Sequence, residues 1–408
     1  MRLIITIAIL LLFDWYAFQA FVLFSESWSS SMRMILYSIY WLVPLTAIGT
    51  LIAATFTDSS KWNKEVFSIL RAILFAAYFG KFLIVILLAV DDLRRLLLEM
   101  YQAFAGSTHM EISRSKVLSQ VAVFTGSIPF FMLTYGILRN RFRYTIFNEV
   151  VKLDKLPEAL EGLKIVQISD IHSGSFTSKE PLKTAIDLIN QQKADLVFFT
   201  GDLVNTTARE MEPYIDVFDK IKSTYGIFSI TGNHDYGDYA RWESPEAKKQ
   251  NFDHFIDTHR KLGWNLLLNE HRILDIKGEN IAIIGVENYS ASPRFSKYGN
   301  LSQAYEGSEN AGLKLLLSHD PTHWDYEVIK QFKDIAITFS GHTHGMQFGI
   351  EIPGWIKWSP AKYVYKEWAG LYKSGEQYLY VNRGFGFLGY PGRVGILPEI
   401  TVMKLERK

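Results

Sequence analysis

Four apolar stretches crowd into the first third of this chain, at roughly Leu3 to Phe24, Met34 to Phe56, Val66 to Val90 and Val117 to Leu138. Each has the length of helix, about 20 residues, that a bilayer requires. Each is also apolar nearly all round, whereas soluble helices of this length keep a polar face. Residues 1–143 therefore read as an α-helical membrane domain of four spans. Asp14, Arg71 and Lys81 interrupt the pattern. Arg71 sits near a span end and can snorkel, while Asp14 and Lys81 lie deeper and are expected to face other helices or each other. The opening Met1-Arg2 followed by an apolar run has the layout of a signal peptide. The run is long, contains Asp14 and lacks a small-x-small site, so it reads as a retained anchor.

Four spans put both flanks on one side of a membrane. That side carries six basic residues (Arg2, Lys61, Lys64, Arg139, Arg141, Arg143) against five opposite (Arg33, Arg94, Arg95, Arg114, Lys116). The dense run RNRFR, Arg139 to Arg143, tips the balance towards a cytoplasmic position for residues 144–408.

From Tyr144 the texture changes. Short apolar runs at Lys164 to Ile168, Leu196 to Thr200, Gly226 to Ile230, Ile281 to Gly285, Leu313 to Leu317 and Ile335 to Phe339 read as strands. Amphipathic stretches at Lys179 to Gln191 and Glu246 to Leu262 read as helices, so residues 144–408 are expected to form an α/β domain. The chain has no cysteine, which removes disulfides and thiolate metal sites. Its 43 basic and 42 acidic residues nearly cancel, and no long basic stripe favours nucleic acid.

Chemistry collects just beyond the carboxyl ends of those strands, where an α/β fold places its sites. The endings are SDIH (Ser169 to His172), TGD (Thr200 to Asp202), TGNHD (Thr231 to Asp235), SHD (Ser318 to Asp320) and SGHTHG (Ser340 to Gly345). Each alone is weak: a Gly-Asp pair is usually a turn, and a lone His is usually a hydrogen-bonded structural residue. Their coincidence is informative, because groups costly to bury unpaired are not concentrated without a use. Imidazole, carboxylate and amide donors without thiolate suit a borderline divalent metal such as Mn, Fe or Zn. Seven candidate donors are too many for one ion and suit two ions with a bridging carboxylate, the usual clamp for attack on phosphorus.

The ordered set DIH, GD, GNHD, SHD and GHTHG, spanning Asp170 to His344, resembles the calcineurin-like metallophosphoesterases. The approach EALEGLKIVQISDIH and the tail NRGFG…PGRVGILPEIT resemble the membrane-associated bacterial branch, which includes phosphodiesterases and UDP-2,3-diacylglucosamine hydrolases. The resemblance implies a sandwich of two mixed β-sheets flanked by helices, in a bacterial inner-membrane protein. It implies one metal held by Asp170, His172, Asp202 and His344, and a second held by Asp202, Asn233, His319 and His342. The residues alone did not separate His234 from the ligands; the resemblance makes it the proton donor, with Asp235 orienting it. It also implies in-line attack by a hydroxide bridging two divalent ions, Mn²⁺ first, with Fe or Zn as alternatives. Relatives often read GHTHGGQ, whereas this chain has Met346 at the second Gly.

The expected substrate is a phosphodiester or pyrophosphate, lipid-linked or a nucleotide diphosphate. The same centre would serve a phosphomonoesterase or phosphoprotein phosphatase, and a non-catalytic membrane sensor could use the same fold. A full ligand set with His234 argues against the sensor. The stretch GWIKWSPAKYVYKEW, Gly354 to Trp368, mixes aromatic and basic residues and suits a bilayer interface and anionic headgroups. The competing reading packs those aromatics beside the site. Oligomeric state is not legible.

Overall fold

A computed structural model of the chain describes residues 1–58, 62–105, 112–352 and 354–408. Lys61, one of the six basic residues on the flanking side, lies outside them. The chain divides into two units, Met1–Ile137 and Leu138–Lys408.

The first unit consists of α1 (Arg2–Phe24), α2 (Ser30–Phe56), α3 (Lys64–Ala105) and α4 (Lys116–Leu138). All four are long and apolar enough to cross a membrane. Helix α3 overruns the expected end at Val90: its 42 residues at 1.5 Å each give about 60 Å, twice a hydrocarbon core. Arg94 and Arg95, counted as loop charges, are therefore helical. They pair at i,i+3 with Asp91 (2.8 Å) and Asp92 (3.2 Å), which carries the helix past the apolar run. Inside the bundle Lys81 Nζ donates to Asp14 Oδ1 at 2.5 Å, and Tyr78 donates to Asp14 Oδ2 at 2.9 Å. Each charge expected to lie deep thus neutralises the other.

The second unit holds two six-stranded sheets. The strands are β1 (Thr145–Leu153), β2 (Lys164–Ile168), β3 (Leu196–Thr200), β4 (Ile227–Ile230), β5 (Asn265–Leu266), β6 (Glu270–Ile276) and β7 (Glu279–Gly285), followed by β8 (Leu313–Leu317), β9 (Ile337–Ser340), β10 (Ile350–Ile352), β11 (Ile356–Trp358), β12 (Gly370–Ser374), β13 (Gln377–Val381) and β14 (Glu399–Arg407). One sheet runs β1-β14-β2-β3-β4-β5 and the other β12-β13-β9-β8-β7-β6, while β10 and β11 form a separate ribbon. Pairing from β2 through β5 is parallel, with β14 antiparallel to β2. Pairing of β7, β8, β9 and β13 is also parallel, closed by antiparallel β6 and β12.

Alternation along each strand builds the layers. Ile165, Leu196, Phe198 and Phe228 of the first sheet pack against Ile283, Leu315, Ile337 and Phe339 of the second. The opposite face of the first sheet, with Val166, Ile168, Val197 and Phe199, is covered by α5 (Glu180–Gln191), by the short α6 (Ile215–Phe218) and by α7 (Pro245–Leu262). The outer face of the second sheet is covered through Leu301, Trp324 and Val328. Two mixed sheets flanked by helices are the architecture expected from the strand spacing and the resemblance. Strands β1, β5, β6 and β10 to β14 had no counterpart among the strands expected from the sequence, since their apolar alternation is short or broken.

Candidate metal centre

The loops after β2, β3, β4, β8 and β9 meet. Parallel pairing continues past the strand ends: the Asp170 amide donates to Gly201 O at 2.9 Å, His172 to Asp202 O at 3.1 Å, and Gly341 to His319 O at 2.9 Å. The backbone then turns sharply. Asp170, His172, Asp202, His342 and His344 all have φ between 48° and 73°, the left-handed region. Such a conformation costs a non-glycine residue about 1–2 kcal/mol, and strain of this kind collects at functional sites. The backbone at Asp170 and His172 is therefore not extended. Both flanking residues are left-handed, while Ile171 is buried in the core beside Val166 and Ile168. Two glycines leave room for the carboxylates. A Cβ on Gly341 would overlap Ser169 Oγ and Asp170 Oδ2, and one on Gly232 would overlap Asp202 Oδ1.

Two groups of possible metal donors result. In one, Asp170, His172 and His344 bring their donor atoms within 4.8 Å of one another; in the other, Asp202, His319 and His342 do the same. His344 Nε2 is 3.2 Å from Asp170 Oδ1 and 3.0 Å from His172 Nε2. His319 Nε2 is 3.2 Å from Asp202 Oδ2 and 3.3 Å from His342 Nδ1. Asp202 Oδ2 also stands 3.6 Å from His172 Nε2, so one carboxylate faces both groups. Asn233 gives its Nδ2 to the Tyr239 hydroxyl at 2.9 Å. Its Oδ1 is buried and finds no hydrogen-bond partner among the described residues.

These donors fit a cation. Nitrogens at 3.0 Å can share only one proton, and a buried amide oxygen left unpaired is costly. Burial pushes His172 down to about 3, leaving its lone pair available. Burial also opposes charge on His319, but the Asp202 carboxylate outweighs it and raises His319 to about 10. A metal ion would take over the role of that proton.

His234 stands apart from both groups. It is half-buried, its ring centroid lies 5.0 Å from that of His172, and its Nδ1 is 2.7 Å from Asn205 O. The expectation that Asp235 orients His234 is not met. Among the described residues the Asp235 carboxylate accepts from the amides of Asp202 (2.9 Å), Leu203 (2.8 Å), Val204 (3.3 Å) and Gly232 (2.7 Å). Burial and the Asp202 carboxylate push Asp235 up to about 8, and the amides resist that rise. An Asp surrounded so closely by four donors braces a loop; the contact to His234 comes from a carbonyl instead.

Residue types alone did not reveal the outer partners. Tyr365 lies 2.9 Å from His342 Nε2, and Asp320 Oδ2 lies 3.5 Å from the same atom. Such groups fix the ring and tautomer of a metal-binding imidazole. Asp320 was visible in the SHD ending, without a role. Asn205 was signalled only indirectly, by the pattern Thr207-x-x-Glu210: the capping box forms, and Glu210 also holds the Asn205 amide at 2.6 Å.

Comparison with known proteins gives two family matches. Residues 1–141 match a family described as "Probable Calcineurin-like phosphoesterase, transmembrane domain", and residues 163–346 match "Calcineurin-like phosphoesterase". The chain is 31% identical over 263 residues to the uncharacterized metallophosphoesterase YkuE of Bacillus subtilis, covering 64% of this chain and 84% of that protein. It is 26% identical over 285 residues to a transmembrane protein with metallophosphoesterase domain from Danio rerio, spanning 68% of this chain and 60% of that one. It is 26% identical over 249 residues to the phosphodiesterase YaeI of Escherichia coli, covering 59% and 82%.

Proposed function

This chain belongs to the calcineurin-like phosphoesterase family, and from that premise we propose a membrane-anchored hydrolase that cleaves a phosphodiester or pyrophosphate bond using two divalent metal ions. Family membership makes it a metal-dependent phosphoesterase, and four membrane-length helices associate it with a bilayer. In this reading residues 1–143 anchor the chain and residues 144–408 carry the catalysis.

The observation that carries the two-ion reading is the position of Asp202. Its Oδ2 faces His172 of one donor group and His319 of the other, at 3.6 and 3.2 Å. Asp170, His172, Asp202 and His344 would hold one ion; Asp202, Asn233, His319 and His342 would hold the second. Bound there, such ions supply activated water and offset charge on the phosphoryl oxygens. Mn²⁺ is the first choice for mixed oxygen and nitrogen donors, with Fe and Zn next.

The chain's own groups do the rest. Asn205 O can only accept, so Nδ1 of His234 keeps its proton. A protonated His234 then presents Nε2–H to the leaving oxygen. The Asp202 Oδ1 bond to the His234 amide at 2.8 Å ties this donor to the shared carboxylate. The similarity to a phosphodiesterase supports a diester, and the bilayer association supports a lipid-linked substrate, with a nucleotide diphosphate as the other candidate. The RNRFR run supports a cytoplasmic position at a bacterial inner membrane.

The test is hydrolysis of bis-(p-nitrophenyl) phosphate by Mn²⁺-loaded full-length protein, with the monoester p-nitrophenyl phosphate alongside. Diester turnover that chelation abolishes is expected. Turnover of the monoester alone, or inertness of the metal-loaded protein towards phosphodiesters and pyrophosphates alike, overturns the reading.

A further inference from the structure

The segment between His344 and Tyr365 leaves one candidate ligand and returns to the outer partner of another. At its start Gly345 O accepts from Ser359 Oγ at 2.6 Å; at its end the Tyr365 hydroxyl reaches His342 Nε2 at 2.9 Å. Between them, β10 and β11 pair as an antiparallel ribbon in the register Ile350↔Trp358, Glu351↔Lys357 and Ile352↔Ile356.

That register sorts the side chains onto two faces, because neighbours along a strand point opposite ways. Glu351 and Lys357 share one face and are tied to the domain: Glu351 accepts both arms of Arg383, at 2.6 and 2.9 Å, and Lys357 Nζ donates to Ala369 O at 2.5 Å. Ile350, Ile352, Ile356 and Trp358 share the other face; the three isoleucines are exposed and Trp358 is half-buried. Ile350 is 47% exposed and Ile352 42%, and Trp355 in the connecting turn is 77% exposed. In an ordinary surface ribbon the apolar face packs inward; here Glu351 and Lys357 bond to the domain, although Lys357 keeps exposed surface, and the isoleucines stay exposed. The next turn adds Tyr363 at 74% and Val364 at 63%. Exposed apolar side chains gathered in one short segment mark a candidate contact site.

We propose that this ribbon and the turn after it dock into the interfacial layer of a lipid bilayer. Three observations favour lipid over a protein. The outward residues are those of a bilayer interface, with exposed Trp355 and Tyr363 and the Lys362 ammonium 5.1 Å from the Tyr363 ring. The carboxylate of the ribbon, Glu351, is on the inner face and neutralised by Arg383, so none on the ribbon's outer face repels anionic headgroups. The chain carries four membrane-length helices, so a bilayer is always at hand. The aromatic stretch Gly354 to Trp368 thus divides. Trp368 is buried and Tyr365 serves His342, whereas Trp355 and Tyr363 face out.

The absence of cysteine makes the test clean, since Trp355→Cys or Tyr363→Cys introduces the chain's single thiol. Each full-length variant is labelled with bimane and reconstituted in phosphatidylethanolamine/phosphatidylglycerol vesicles containing doxyl-phosphatidylcholine. Quenching by the doxyl lipid of about twofold or more is expected at both sites, with little quenching by aqueous iodide. A label at Glu180→Cys, an exposed position at the start of α5, should show the reverse. Adding Ile350→Asp and Ile352→Asp should bring the Tyr363 label towards the Glu180 pattern, with metal content and diester turnover unchanged. Quenching by iodide but not lipid overturns the proposal. Shielding from both quenchers also overturns it and assigns the face to a protein partner. The readout is lipid proximity, so it does not depend on which ester the centre cleaves.

Discussion

Asp202 and His319 meet at 3.2 Å through Oδ2 and Nε2, and the same oxygen faces His172 at 3.6 Å. One buried carboxylate is thereby shared between two donor groups, a geometry that a single structural ion does not need. Asp202→Ala should lower bound metal from two ions per chain towards none, measured by plasma mass spectrometry. Diester kcat/KM should fall by more than the roughly 10–100-fold that loss of an outer partner causes. Full metal content in that variant would remove Asp202 from the bridge.

The separate surroundings of His234 and Asp235 predict separable defects. His234→Ala should keep its metal and lose about 10²–10⁴-fold in kcat, the usual contribution of a general acid. Asp235→Asn replaces one acceptor oxygen by an NH₂ that faces amide donors, leaving buried groups unpaired. It should cost about 1–3 kcal/mol in stability, while the pH profile of its residual turnover keeps the parental shape. A shifted alkaline limb in Asp235→Asn would restore a direct role for Asp235 in proton transfer.

His259, in α7, sets an acid limit on stability. Burial pushes its pKa down to about 4, against a partial opposing pull from the Phe255 carbonyl, which its Nδ1 meets at 3.1 Å. The folded form stays neutral while the unfolded chain takes up a proton below about 6.5. Stability is therefore unaffected above that value and declines as pH falls from about 6.5 to 4, by up to about 3 kcal/mol. His259→Phe should flatten the fall in thermal midpoint across this window. An unchanged slope would show that other groups dominate.

Met346 occupies a left-handed position, φ 50°, between Gly345 and Gln347, which are left-handed too. Relatives that carry Gly here avoid that strain of about 1–2 kcal/mol, less about 0.5–1 kcal/mol for glycine's greater chain entropy. Met346→Gly should therefore raise stability by about 0.5–1 kcal/mol in denaturant titration, without loss of metal. Destabilisation would mean that the Met346 side chain contributes more through packing than its exposure suggests.

Much of this protein was legible because its signals are local. Spans in the first unit declare themselves by length and composition, and β2, β3 and β8 begin and end where their apolar runs do. The candidate donors stood out for the same reason, each following a short apolar strand. Other features were decided by contacts distant in sequence. His172 and His344 approach to 3.0 Å across 172 positions, and only the left-handed backbone aims them together. Asp235 adjoins His234 in sequence, yet it turns to the amides of the Asp202 loop, because four donors there outcompete one ring. The ribbon makes the same point. Alternation in Ile350, Glu351 and Ile352 fixed that two faces exist, but a period of two is silent on which face meets the domain. Arg383 settled it by holding Glu351 inward.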